Sequence, residues 1–408
     1  MSPRRVVLLT ATYPWAPGEE FIAPELSHWV RVDADVTIMP WRTSEQRRDI
    51  PAGLAVDTRL DVLRRSQWRR SLARQLVNPS VWAEILTSLR SGIRSPGALW
   101  RIAVPAAAAH LTSKALRSFA REHGKIDVAY SYWFDYQCLG ALRARDVVGA
   151  VASRAHGYDL YEERSIDGRL PFRRAMVHEV DLIAPISTVG LTYLRDRYQA
   201  PSSTSTTYHL GVAIHDGAAP APRSLDPVRL ISISSLTDVK RISLLIDTLA
   251  ALAKRRPGRR IEWSHAGDGP LAAELHRAAD ALPEQVSVTW LGHLAPAELT
   301  AVLDDGPWHF AVNTSSSEGV PVSLMEAMER AIPIAATQVG ATAELVKSPG
   351  GVLLEPDGTP QEWALAIDHA LPRTLDPDFR AGFRAEVIAN WNQGTNLGGF
   401  VDAVLALA

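Results

Sequence analysis

The sequence predicts an α/β protein of two domains, each built on a doubly wound parallel sheet, and three observations predict it. At 408 residues the chain is too long for one ordinary core and about right for two. Short apolar runs alternate with longer stretches of helical period, the pattern of strands joined by crossover helices. Between about residues 200 and 226 the chain turns rich in Ser, Thr, Ala and Pro, and the run GAAPAPRS starting at Gly217 reads as a linker.

Each element follows from a local signal. Strands are expected at 6–9, 36–39, 128–130, 150–153, 182–184 and around 207–210 in the first half. In the second half they fall at 230–233, 261–265, 287–290, 310–312, 334–336 and 352–354. Helices fit between most of them, for example 243–254, 270–281 and 322–330. The domains are then 1–215 and 228–387, with a linker at 216–227 and a terminal helix at 388–408. No repeat of 20 to 50 residues is visible.

Composition removes several classes. A hydrophobic share of 46% with 22% charged residues is that of a globular chain. A net charge of −2 gives no reason to expect nucleic acid. Cys138 is the only cysteine, so neither an intrachain disulfide nor a thiolate metal cluster can form, which fits a reducing compartment. The apolar run 6–9 is far shorter than a signal-peptide core or a membrane span and is read as a buried first strand. Basic charge is carried almost wholly by Arg, so Lys114, Lys125, Lys240, Lys254 and Lys347 each draw attention.

Open parallel sheets bind ligands beyond the carboxyl ends of their strands, so chemistry is expected in the loops that follow strands. The densest such loop is 313–328, NTSSSEGVPVSLMEAM. A strand ends at Val312, a polar loop follows, and a helix opens near Pro321. Glu318 in the loop can accept bonds from sugar hydroxyls. Glu326, less than two turns into the helix, can reach a ribose from the same side. Gly319 lets the backbone approach a ligand, and the free N–H groups beyond Val320 and Pro321 can face an anion. A bare Glu-x7-Glu spacing would also arise from an acidic turn before an ordinary amphipathic helix. The residues around it favour the site.

The segment 313–344 resembles the donor-site signature of the family 4 retaining glycosyltransferases, which have the GT-B fold of two Rossmann-like domains facing a central cleft. The resemblance runs through nearly the whole chain. Tyr13, Pro14, Pro17, Gly18, Glu19, Glu20, Phe21, Ile22, Pro24 and Glu25 look like the first loop of the bacterial polysaccharide-assembly members, of capsule or colanic acid type. Arg154, His156, Gly157, Asp159 and Arg164 match the same group. So do Pro185, Ser187 and Gly190, the run from His209 to Val212, the run from Val239 to Ile242, and the run from Trp263 to Gly269.

The resemblance implies a transferase that moves a sugar from a nucleotide diphosphate sugar to a hydroxyl with retention of configuration, in cell-surface polysaccharide or glycosylated natural-product biosynthesis. It implies an acceptor-binding first domain, a donor-binding second domain, and a terminal helix crossing back onto the first. The acceptor is a glycan, a lipid-linked glycan or a small molecule. No cofactor and no metal is expected. The location is cytoplasmic, with a peripheral contact at the inner membrane face as a further candidate.

Roles for individual residues follow from the same resemblance. Negative charge grows on the departing phosphate, and a fixed cation there stabilises the transition state more than the ground state. Lys240 matches the family's phosphate-binding lysine, Glu318 the carboxylate that holds the donor sugar, and His156 a histidine that bonds the sugar or shuttles a proton. These are the catalytic candidates. Gly18, Arg241, Gly267, Gly292, Gly319, Val320, Pro321 and Glu326 are the donor-binding ones, Glu326 on the ribose. The leaving phosphate itself takes the acceptor's proton. Where the family has an Arg five residues before the lysine, this chain has Ser235, which makes Arg241 the candidate second cation. Ala331 and Ala341 stand where glycines are usual, and their methyls narrow the approach to donor.

Blander readings stand beside these. Lys240 could be a solvated lysine at a helix start, Gly18 a plain turn, and His156 a histidine bonded to backbone, with Asp159 orienting its loop. Gly267, Asp268 and Gly269 do not make a dinucleotide fingerprint, because no third glycine follows. Asp33 and Asp35 have metal-binding spacing but precede the second strand, at the wrong end of the sheet, and read as a surface turn. No cysteine set or His-x-x-x-His pair suggests zinc. Arg64, Arg65, Arg69, Arg70 and Arg74, interleaved with Leu63, Trp68 and Leu72, could rest on an anionic bilayer or form a solvated helix with one packed face. Two rival functions remain: a GT-B nucleotide-sugar epimerase, and a non-catalytic sugar-nucleotide-binding partner of a transferase.

Overall fold

The structure is a computed structural model that describes residues 3–90, 96–346 and 350–408, so Lys347 lies outside the described residues. The chain divides into two compact units, Met1–His209 with Leu397–Ala408, and Leu210–Asn396.

The first unit carries β1 (Arg4–Thr10), β2 (Ala34–Pro40), β3 (Ala55–Val56), β4 (Ile126–Ser131), β5 (Val148–Ala155) and β6 (Leu182–Pro185). They form one parallel sheet in the order β3-β2-β1-β4-β5-β6. Period-2 alternation in β1 feeds both faces: Val7 and Leu9 enter one apolar cluster, Val6 and Leu8 the other. Phe400, Val401, Val404 and Leu405 of the final helix, Gln393–Leu405, complete the second cluster.

The second unit carries β7 (Val228–Ile233), β8 (Ile261–Ala266), β9 (Val286–Gly292), β10 (Phe310–Asn313), β11 (Ile334–Thr337) and β12 (Val352–Leu354). The order β12-β11-β10-β7-β8-β9 is again that of a doubly wound sheet. The helix Ile242–Arg255 buries Leu245, Ile246, Leu249 and Leu252 against it, a stripe of helical period.

Two expectations need correction, and one strand went unforeseen. Residues 207–210 form no strand: the chain runs beside β6 only as far as Tyr208, whose N–H donates to Pro185 at 3.0 Å, and β6 ends there. The two-residue edge strand β3 is too short to leave a pattern in the sequence. The helix expected at 270–281 is trimmed to Ala272–Ala279.

Candidate functional site

In the second sheet the winding reverses between β7 and β10, which are parallel neighbours. Their following loops therefore leave from the same edge and diverge, which opens a crevice where such sheets take ligands. After β7 a 3-10 turn, Asp238–Lys240, presents Lys240, and after β10 comes Glu318. The Lys240 ammonium donates to Glu318 Oε1 at 2.6 Å. That same oxygen accepts from Asn313 Nδ2 at 3.1 Å and from Ser315 Oγ at 2.6 Å. Asn313 and Ser315 thus hold the carboxylate, and Glu318 holds the lysine. These residues lie 78 apart in sequence, and only the shared sheet edge joins them.

Pro321 caps the helix Val322–Glu329, and Val320 is buried beneath its start. Glu326 lies half-buried on this helix, and burial pushes its carboxyl up, with Arg330 and His215 pulling it partly back. Gly340 holds φ at 53°, and a Cβ there would stand 2.0 Å from the Glu318 carbonyl oxygen. The Ala341 N–H donates to Gly319 at 3.0 Å, so this second loop props the first. Gly267 lets the β8 loop lie against Ser234, whose carbonyl a Cβ would meet at 1.8 Å. Its N–H donates to Gly292 at 2.7 Å.

Arg241 has a different task from the one the sequence suggests. Its guanidinium donates to the carbonyls of Thr314 at 2.7 Å, Pro356 at 2.7 Å and Ser315 at 3.2 Å. It fastens the β10 loop from behind and is committed before any phosphate arrives. Ala331 also differs in effect. With φ at 59° it ends the helix Val322–Glu329 in a left-handed turn, so its methyl strains that turn.

The first unit repeats the plan, with its winding reversed between β1 and β4. The loop after β1 contains Gly18 at φ 92° and Glu19 at φ 57°. The Glu19 carboxylate accepts the N–H groups of Ala11, Thr12 and Tyr13 at 3.0, 2.6 and 2.7 Å and Trp133 Nε1 at 2.6 Å. The amides of Ala11, Thr12 and Tyr13, just beyond β1, are therefore filled from within. Glu19 was quoted in the sequence as part of a motif, but its role could not be seen there.

His156 follows β5 and stacks on Tyr132 with centroids 4.9 Å apart. Its Nδ1 lies 3.4 Å from Asp159 Oδ2, and its Nε2 is buried without a partner. Asp159 also accepts the N–H groups of His156 at 2.8 Å, Gly157 at 3.0 Å and Phe134 at 3.0 Å. Burial alone would raise Asp159, but the bonds from His156 and the backbone outweigh it and hold the carboxyl below its usual range. Asp159 thus orients the imidazole and leaves Nε2 for another group. Asp135, absent from the sequence reading, caps the helix Tyr136–Leu142 nearby and is pushed by burial up to about 8.

The weaker motifs resolve structurally. Asp35 faces Arg5 at 3.6 Å, at the amino end of β2. Among the described residues no group of His, Cys, Asp or Glu is arranged to hold a metal. Arg64 and Arg65 both pair with Asp61, at 2.6 and 2.8 Å, while Leu63 and Trp68 pack on the core. No described helix is long and apolar enough to cross a membrane. Arg154 and Glu25, both from resemblance motifs, form a fully buried pair at 3.0 Å under Phe400.

Taken together, the two six-stranded doubly wound sheets define a class, the GT-B fold. Residues 227–372 match the family described as Glycosyl transferases group 1. The chain is 26% identical to the colanic acid biosynthesis glycosyltransferase WcaL of Escherichia coli K12 over 245 residues, 59% of this chain and 58% of that one. It is 27% identical to the amylovoran biosynthesis glycosyltransferase AmsK of Erwinia amylovora over 35% of each. The matched stretch is thus little more than half the length of the WcaL relative. The fold is shared with the lipopolysaccharide outer core galactosyltransferase WaaB, at TM-score 0.66, 14% identity, and coverage of 99% of this chain and 100% of that one. It is shared equally with Anabaena HepE in complex with UDP and glucose, at TM-score 0.65, 16% identity, and coverage of 98% and 99%.

Proposed function

We propose that this protein is a retaining glycosyltransferase that moves a sugar from a nucleotide diphosphate sugar to a hydroxyl of a growing polysaccharide. The observation that carries the reading is the 2.6 Å pair of Lys240 and Glu318 at the switch point of the second sheet, with Glu326 on the helix that follows. The donor diphosphate competes with Glu318 for the Lys240 ammonium, and the carboxylate released turns to the sugar hydroxyls. Glu326 takes the ribose. As the bond to the sugar breaks, charge gathers on the phosphate and Lys240 binds it more tightly, which is where the rate gain arises. The acceptor oxygen bonds to the anomeric carbon on the face from which the phosphate leaves, and its proton passes to the phosphate oxygen, so the configuration is kept.

Arg241 is fastened to backbone carbonyls, so Lys240 is the cation this reading depends on. His156 Nε2 supplies a sugar or acceptor contact in the first unit. WcaL and AmsK support polysaccharide assembly as the setting, and the HepE complex supports UDP as the nucleotide. The reaction needs no metal and takes place in the cytoplasm. A peripheral contact with the inner membrane face rests on the helix Pro79–Arg90, which exposes Trp82, Leu86 and Leu89, and not on Arg64 and Arg65.

The test is to incubate the full chain with UDP-, GDP- and dTDP-sugars and a glycan acceptor in excess EDTA, reading the product anomer by NMR. A product with the donor's configuration is expected. Inverted product, activity only after Mg²⁺ or Mn²⁺ is restored, or an epimerised sugar nucleotide from donor alone would each contradict the reading.

A further inference from the structure

A cavity of about 700 Å³ lies in the first unit, between the helix Pro79–Arg90 and the start of the helix Arg173–Glu179. Its charged lining is mostly arranged in pairs. Arg169 meets Glu84 at 2.8 Å, Arg197 meets Glu162 at 2.7 Å, and Asp167 is held by Arg101. Arg173 and Arg174, which also line the cavity, have no carboxylate within ion-pair distance among the described residues.

Arg173 is the unusual member. It is 4% exposed, its guanidinium lies 4.0 Å from the Phe134 ring centroid, and its Nε and Nη1 are buried with no hydrogen-bond partner. A cation taken out of water costs several kcal/mol unless an anion and hydrogen bonds compensate it. The ring face recovers only part of that. Burial accordingly draws the Arg173 guanidinium below its ordinary range. Asp159, the carboxylate that acts on it most strongly, already serves three backbone N–H groups and His156. A buried guanidinium without a hydrogen-bond partner, with the exposed Arg174 guanidinium beside it at the same cavity, favours an anion, and the planar donor fork of arginine matches a phosphoryl group.

We propose that this cavity is a phosphoryl-binding site, built on Arg173 and Arg174, that takes a phosphomonoester or diphosphate group. It is separate from the donor loops of the second unit and does not depend on their assignment. A soluble sugar phosphate and a lipid phosphate present the same group, so both sources belong in the test.

Titration calorimetry on the full chain at constant ionic strength, with inorganic phosphate and pyrophosphate as probes, reads the site directly. Binding should persist in Lys240→Ala, which separates it from the donor loops. It should weaken about ten- to hundredfold in Arg173→Met and in Arg174→Ala, as loss of a charge-assisted bond requires. Arg174 is exposed, so its variant keeps the test valid if Arg173→Met fails to fold. Displacement of phosphate by glycerol 3-phosphate, or by vesicles containing phosphatidic acid, supports the site and names its source. No binding to the wild type, equal binding in Arg174→Ala, or loss of binding in Lys240→Ala would overturn the proposal.

Discussion

Ala331 occupies a left-handed backbone position, φ 59°, where L side chains are strained by about 1 kcal/mol. The helix Val322–Glu329 ends here, and a glycine would make the turn without strain. Ala331→Gly should raise stability by about 0.5–1 kcal/mol, the strain relieved less the entropy glycine adds to the unfolded chain. Urea unfolding would show it, and a loss of stability would mean the buried methyl contributes more packing than its turn costs. At this scale the sequence was legible where a residue type has one plausible use. Lys240 and Glu318 each follow a strand and match positions of the family resemblance, and the structure pairs them. The setting of Arg241 was hidden because its backbone partners, Thr314 and Pro356, lie 73 and 115 positions away, which no local pattern records. The same holds for the buried Arg154–Glu25 pair, whose partners lie 129 positions apart.

Helix Pro79–Arg90 is apolar on two sides. Val81 and Ile85 are buried in the core, while Trp82, Leu86 and Leu89 are exposed on the other face. Leu76 and Val77 continue that face, at 70% and 80% exposure, and Trp82 Nε1 donates to the Leu76 carbonyl at 2.7 Å. Exposed Arg69, Arg70, Arg74 and Arg90 accompany it, and Glu84, the acid of this stretch, is neutralised by Arg169. An apolar face with a basic surround fits an anionic bilayer. The chain should therefore co-sediment with phosphatidylglycerol vesicles, and Trp82→Ser with Leu86→Ser should weaken that by about tenfold per residue. Equal sedimentation of the double variant would remove this face from the membrane. Element scale is also where the sequence hid most. Pro105 interrupts the pattern that would have announced the helix Pro96–His123, yet the helix runs through it. Packing overrides the break: Ala106 to Ala109 are buried, and Gly140 approaches so closely that a Cβ would lie 2.4 Å from Thr112 Cβ.

Across the whole molecule the alternation of strand and helix signals was enough to foresee two doubly wound sheets, because parallel strands buried on both faces leave near-continuous apolar runs. The second unit also carries two buried imidazoles whose protonation burial opposes. His265 and His309 are each drawn by burial down to about 4. His309 accepts from the Arg229 N–H at 3.0 Å and faces the Ser224 carbonyl at 2.9 Å, a pairing that requires the neutral ring. The unfolded chain takes up a proton on each near pH 6.5, but the folded chain does so only near 4. Their contribution is complete above about pH 6.5 and is lost as pH falls towards 4, by about 3 kcal/mol per ring. Melting temperature against pH should show this slope, and His309→Gln should flatten it; an unchanged slope would place the acid sensitivity elsewhere. What the molecule does turns on one further point, whether the two loops of the second sheet form a donor site through Lys240. Steady-state kinetics of Lys240→Ala beside its melting curve, at saturating acceptor, test this most directly. Glu318 keeps Asn313 and Ser315 as partners in the variant, so the fold should hold. Turnover should fall by about 10²–10³ and donor affinity by much less. Near-normal turnover in a folded variant would contradict the account.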